Sequence, residues 1–257
     1  MQLKTIASVT AGALTLLGAA QAQDNYVSIS GGASFLNNSD NEGNFNGVFT
    51  TGAGTTIPGG TALPVDSPVG WTTEFDTGFA VSGAYGRRYG NFRGEIEAAY
   101  QTNDVATHNN VLAGGIALAN EDAGVLITGS QNLGVTVGDL VADGQGDVST
   151  IFVMANVYYD FDTGSPFKPY VGVGAGVGFV DVAYSPSQTA IIDDNSTQFA
   201  YQAMAGIAYE VSPSTELFAG YRYRATLDPE VNSSLFDATF DIENRASIAE
   251  AGLRLSF

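Results

Sequence analysis

The stretch Arg245–Phe257 reads RASIAEAGLRLSF. Ala249, Ala251, Leu253, Leu255 and Phe257 are apolar, and Glu250, Gly252, Arg254 and Ser256 stand between them. A period of two belongs to a strand whose faces meet different media. A last strand ending on Phe suits a transmembrane β-barrel, where it closes against the first strand and needs no cap. The competing reading is the last strand of a soluble β-sandwich.

Working back from that end, seven more segments alternate in the same way: Tyr26–Phe35, Phe75–Tyr85, Phe92–Gln101, Thr150–Phe161, Tyr170–Phe179, Phe199–Val211 and Glu216–Arg224. The total of eight is even, as closure of an antiparallel barrel with both termini on one side requires. The connections alternate short and long. Gly86–Asn91, Asp162–Pro166 and Ser212–Ser214 are tight turns of Gly, Pro, Asp and Ser. Leu36–Thr72, Thr102–Asp147, Ser185–Thr197 and Asp228–Asn244 are long. Short turns on one side and long loops on the other mark an up-and-down barrel, whereas a Greek-key sandwich gives no reason for such alternation.

Aromatic residues gather at strand ends. Tyr85, Tyr159, Phe161, Tyr209 and Phe257 lie toward the short turns, and Phe75, Tyr100, Phe179, Phe199 and Tyr223 toward the long loops. Two belts around an aliphatic band match a bilayer. The expected fold is all-β: an eight-stranded antiparallel up-and-down transmembrane β-barrel. Gly124–Thr128 and Leu133–Val137 form a possible further hairpin, which would make ten strands if it spanned; the reading places it above the membrane.

The amino end carries Lys4, an apolar run from Ile6 to Ala20, and the small-x-small triplet Ala20–Gln21–Ala22. These are the parts of a cleaved export signal over residues 1–22, leaving residues 23–257 as one barrel domain. The expected location is a bacterial outer membrane. The 257 residues include no cysteine, which excludes disulfides, thiolate metal sites and cysteine nucleophiles. The formal net charge of -18 argues against nucleic acid as a partner.

Little in the chain nominates chemistry. Gly172, Gly174, Gly176 and Gly178 recur at a period of two, with no helix to follow. They form a strand face kept thin for bulky neighbours rather than a phosphate-binding loop. A small hydroxyl at position 174 is expected to be tolerated there. His108, the single histidine, sits among Thr107, Asn109 and Asn110 and reads as a polar loop residue. The long loops carry Asp40, Glu42, Glu121, Asp122, Asp193, Asp194 and other acids, read as a solvated surface rather than a cation site. Neither a cofactor nor a metal is called for, and no catalytic residue is nominated.

Parity sends one set of charges inward: Arg93, Glu95, Glu97, Glu210, Glu216, Arg222, Arg224, Glu250 and Arg254. Buried charges must be paired or wet. Arg222 with Glu250, and Glu216 with Arg254, fall within about one register step on neighbouring strands. The set reads as a polar plug, with an ion gate as the alternative.

The eight-strand plan, the segment Pro169–Phe179 (PYVGVGAGVGF) and the ending Leu253-x-Leu255-x-Phe257 together resemble opacity-type, OmpA-like outer-membrane β-barrel proteins. These are labelled porin-family proteins or surface antigens of Gram-negative bacteria. The resemblance covers residues 24–257. It implies that Leu253, Leu255 and Phe257 form the assembly signal read by the barrel-assembly machinery, and that outer-membrane lipid and lipopolysaccharide surround the barrel. Unlike full-length OmpA, the sequence stops at the barrel, so no cell-wall tether is expected. The leading functional expectation is a structural or surface-interaction barrel with acidic external loops. The alternative is a narrow channel for ions or small solutes. A lipid-modifying enzyme using His108 ranks below both.

Overall fold

The computed structural model describes residues 24–257, so the expected export signal lies outside the described residues. In chain order the strands are β1 (Asn25–Leu36), β2 (Ser39–Phe45), β3 (Phe49–Thr50), β4 (Ala62–Leu63) and β5 (Pro68–Phe75). Next come β6 (Gly78–Tyr89), β7 (Phe92–Ala113), β8 (Ile116–Ala117), β9 (Gly146–Asp160) and β10 (Phe167–Tyr184). The last five are β11 (Ile192–Ser212), β12 (Thr215–Thr226), β13 (Glu230–Asn232), β14 (Ala238–Asp241) and β15 (Arg245–Ser256).

Eight of these close a ring in the order β1, β6, β7, β9, β10, β11, β12, β15 and back to β1, with every pair antiparallel. Neighbours in the ring are successive spanning strands, which is the up-and-down plan. The ring is inside out relative to a soluble protein: Ile29, Ile96 and Val173 are 65%, 61% and 64% exposed on the outer face. Exposed Tyr85, Tyr89, Phe92, Phe161, Phe167 and Tyr209 ring the short-turn end, and exposed Phe35, Phe79, Phe179, Phe199 and Tyr221 ring the other. An apolar band between two aromatic girdles is the surface a bilayer requires.

Four strands outrun the band. The distal parts of β7, β9, β10 and β11 rise beyond it and are joined by β2, β5, β14 and β13. The bridge between Ile192 and Ser233 closes this second tier. The Asn232 backbone N–H adds to it by donating to Asp194 Oδ2 at 2.9 Å. Its interior is apolar: Phe45, Val69, Trp71, Val105, Val125, Val182, Ile192 and Phe240 pack into one core. The second tier continues the β1–β15 seam. Past Phe35↔Ser247, the Asn37 N–H donates to the Arg245 carbonyl, the Glu243 N–H to Ser39 Oγ, and β2 then pairs with β14 at Gly43↔Phe240.

Several expectations are corrected. The long connections are not open loops but a packed cap. The second spanning strand begins at Gly78 rather than Phe75, which belongs to β5. Asn103 Nδ2 holds the break by donating to the Asp76 carbonyl at 3.0 Å. The stretch expected to form a hairpin over residues 124–137 contains a 3-10 turn at Ala123–Leu126 and leads into a helix, α1 (Val137–Val141). Asp122 shapes it, accepting backbone N–H groups from Gly124, Leu133 and Gly134 at 2.7–2.8 Å. The spanning ring therefore has eight strands, not ten.

Candidate functional site

The lumen is filled by charged and amide side chains in three levels. At the short-turn mouth, Glu216 Oε2 receives Arg88 Nη2 at 2.5 Å and Arg254 Nη1 at 2.6 Å. Lys168 Nζ stands 2.5 Å from Glu210 and 3.6 Å from Glu216. One level in, Arg93 binds Asp160 at 2.7 Å and Glu95 at 3.0 Å, and the Tyr26 hydroxyl donates to Glu95 at 2.7 Å. The Arg93 guanidinium also lies over the Tyr158 ring, 4.3 Å from its centroid.

The central level spans the barrel. Glu97 on β7 accepts from Arg222 at 2.8 Å and Arg224 at 2.6 Å, both on β12. Strands β7 and β12 are four places apart in the eight-membered ring, so these bonds cross its diameter. Gln202 Oε1 accepts from both arginines, at 2.9 and 2.8 Å. Gln202 Nε2 passes the network to Asn156 at 2.7 Å, and Asn156 Nδ2 returns to Glu97 at 3.2 Å. Arg222 also meets Glu250 at 3.0 Å. Each carboxylate is paired, which removes most of the penalty for burying charge. A cavity of about 20 Å³ remains beside this level, room for about one water.

Of the residues singled out by parity, eight pack in the lumen, while Glu210 sits half-exposed at the mouth and reaches them only through Lys168. Arg222–Glu250 and Glu216–Arg254 are neighbours across β12 and β15. Sequence reasoning missed Arg88, which falls on β6 and not in the expected turn Gly86–Asn91, and Lys168, because β10 begins at Phe167 and not at the expected Tyr170. Tyr26, Asn156, Asp160 and Gln202 share the inward parity, but sequence reasoning did not name them as partners of the charges. The cross-lumen bonds had a signal in the ring order: the third and seventh strands of eight face each other.

The glycine face of β10 makes room for this filling. A Cβ on Gly172 would enter the Tyr158 ring, and one on Gly174 would meet Asn156 Oδ1. Gly174 is therefore not a roomy position, against the expectation for a small hydroxyl there. At the seam, Leu255 and Phe257 face outward, and the Phe257 N–H donates to the Asn25 carbonyl at 2.9 Å. Leu253 pairs Ile29 on one side and Leu217 on the other.

Two corrections concern the cap. His108 is not a polar surface residue: it is buried on β7 beneath Trp71 and Tyr184. Its Nδ1 lies 2.9 Å from Thr73 Oγ1. Burial pushes the imidazole pKa down to about 4, with Asp143 opposing weakly. Glu121 and Asp122 are likewise buried rather than solvated. Glu121 is held below the usual carboxylate range first by the Thr56 side chain and backbone. Asp122 is held low by backbone N–H groups, Leu133 foremost. Asp193 and Asp194 lie on β11. Among the described residues no group of three or more His, Asp or Glu side chains is gathered as a metal site.

An antiparallel ring with an apolar, twice-girdled exterior and a polar interior defines a transmembrane β-barrel. More narrowly, the chain belongs to the surface antigen family of outer-membrane β-barrel proteins, whose model, described as "Surface antigen", matches residues 67–253. Major surface antigen 4 of Anaplasma marginale is 30% identical over 198 residues, covering 74% of this chain and 64% of that relative. The match thus spans less than two thirds of the relative's length. An uncharacterised protein of Brucella abortus is 34% identical over 79 residues, 27% of this chain and 28% of that one. Among solved structures, Neisserial surface protein A aligns at 19% identity with a TM-score of 0.46, covering 91% of this chain and 97% of its own.

Proposed function

We propose that this protein is a closed, non-catalytic barrel that anchors an acidic, folded cap at the cell surface. The observation that carries the reading is the central level of the lumen, where Glu97 ties Arg222 and Arg224 across the full diameter. Hydrogen-bonded side chains from opposite walls hold the interior as a plug. In this reading outer-membrane lipid and lipopolysaccharide bathe the girdled band. The barrel-assembly machinery reads Leu253, Leu255 and Phe257, and the cap faces outward. The cap carries Glu42, Asp66, Glu230 and Asp241 around a single groove of about 770 Å³. Such a surface favours cationic partners and repels polyanions.

The test is conductance of the refolded, purified protein in a planar bilayer. The plug reading expects a silent membrane, and an Ala substitution at Glu97 that opens steps where the wild type gives none would strengthen it. Steady ion-selective current through the wild type would replace this reading with a narrow channel.

A further inference from the structure

The cap carries a chamber of about 70 Å³ whose wall includes Phe45, Phe49, Leu63, Trp71, Ile116 and Phe236. No carboxylate, lysine or arginine lines it. Its two threonine hydroxyls are already engaged: Thr51 and Thr61 both donate to the Pro58 carbonyl, at 3.1 and 2.7 Å. The chamber is not sealed. Val69, Ala113 and Ile116 stand in one cross-strand row on β5, β7 and β8, and exposure climbs along it from 7% and 8% to 53%. Leu235, also in the wall, is 38% exposed. An apolar space that reaches the outside past aliphatic residues is a port rather than a packing void.

Around this port the surface is of one sign. The cap segments 37–77, 103–148, 181–197 and 227–244 hold no lysine or arginine. Glu42, Asp66, Glu230 and Asp241 line the neighbouring groove. Val69 and Leu112 border both spaces, so β5 and β7 form the wall between them. The two meet at the rim, where Gly115 lines the groove and the next residue, Ile116, lines the chamber.

The dimensions select the guest. An apolar cavity of about 150 Å³ takes a benzene ring, so about half that space takes the end of one aliphatic side chain. The groove draws on β13, β14, β2, β5 and β7, which are neighbours in that order. At about 4.8 Å per strand step it is roughly 19 Å across, the reach of about six extended residues.

We propose that the cap docks a basic polypeptide, which lays an extended lysine- or arginine-rich stretch in the groove and seats one aliphatic side chain in the chamber beside Ile116. The site rests on the reading of the cap as an outward-facing acidic surface. Charge gathers the partner, and the apolar anchor discriminates among basic chains.

The full chain in zwitterionic phosphatidylcholine nanodiscs is titrated with a labelled lysine-rich peptide bearing one central leucine. The same peptide with alanine at the centre, and one with glutamates in place of the lysines, serve for comparison. The leucine peptide should bind roughly tenfold more tightly than the alanine peptide, and the glutamate peptide not at all. Trp71, the only tryptophan, lies in the chamber wall, so its emission should move with the leucine peptide and hold still with the alanine one. Ala113→Leu fills the chamber from β7 and should erase the preference for leucine while the weaker, charge-driven binding stays. The comparison of peptides on the wild type stands even if that variant misfolds. Bilayer conductance and surface labelling test the reading of the barrel, and peptide binding to the purified protein tests the site, so each fails on its own measurement. Equal affinity for the two lysine peptides, binding of the glutamate peptide, a silent Trp71, or saturation of Trp71 by free hexane at lower concentration than by the leucine peptide would overturn the proposal.

Discussion

Glu97 and Arg222 stand on strands that face each other across the barrel, and their side chains meet at 2.8 Å. A pair on adjacent strands staples one seam of hydrogen bonds. A pair across the diameter also fixes the cross-section, and Arg224 doubles it from the same strand.

Removing the carboxylate at that centre should cost more than removing any other in the lumen. Glu97→Gln leaves the buried Arg224 with no carboxylate partner and Arg222 with Glu250 alone, a loss of about 3–5 kcal/mol. Glu250→Gln should cost less, because Arg222 keeps both its bonds to Glu97. Urea unfolding in lipid vesicles ranks the two. The reverse order would place the keystone elsewhere.

The two faces of β10 should respond differently to substitution. Ala175→Arg puts a charge on the outward face near mid-bilayer, at about 2–4 kcal/mol. Gly174→Ser keeps clear of lipid but intrudes on Asn156 and Gln202, so it too should lower stability, by overpacking at about 1–3 kcal/mol. Its signature is specific: adding Asn156→Ala should recover part of the loss in Gly174→Ser and none in Ala175→Arg.

Acid should loosen the cap before the barrel. His108 is held neutral, with its pKa at about 4 against an ordinary value near 6.5. A depressed histidine contributes stability that is complete above the ordinary value and lost as pH falls toward the folded value. The window therefore runs from about pH 6.5 to 4, and the full difference is roughly 3 kcal/mol. Protonation at Nδ1 would also face a Thr73 oxygen already saturated by Asn41 and Trp71. Trp71 emission should shift across this window in the wild type and stay flat in His108→Phe.

Deletion of Phe257 should deplete folded protein in the membrane. It removes an outward aromatic at the short-turn girdle and the N–H bond to Asn25 across the seam. Normal amounts of heat-modifiable, membrane-inserted protein would show that the terminal residue is dispensable for assembly.

Topology is checked by tagging Gly59 in the cap and Gly164 in the turn between β9 and β10, both exposed. Intact cells should bind an impermeant antibody at Gly59 alone. Labelling only at Gly164 would turn the molecule over.

The membrane ring was legible because each spanning strand keeps its parity from end to end. β9, for example, buries Phe152, Met154, Asn156 and Tyr158 and exposes Ile151, Val153 and Val157 without a break. The cap was not legible, and its irregularities explain why. The pairing of β5 with β7 shifts register between Gly70 and Thr72 and again between Glu74 and Phe75, and Asn110 has a φ of 55°. Each irregularity resets the alternation, so His108 loses the pattern that would mark it as inward. β13 and β14 have three and four residues, too few to show a period. The lumen charges fell between these cases: parity reveals which residues point inward, but their partners depend on where each strand sits in the ring.

The β1–β15 seam is where the two ends of the barrel meet, and β2 pairs with β14 along the same line. The chain thus fastens one joint twice, once at membrane depth and once above it. Prising the wall apart at this joint would require both fastenings to give way, and the upper one is backed by Trp71 packed at a tilt against Phe240. The joint that brings the two chain ends together is thus the one least disposed to gape into the plane of the bilayer, and passage between cap and lipid at this side has to go over the rim.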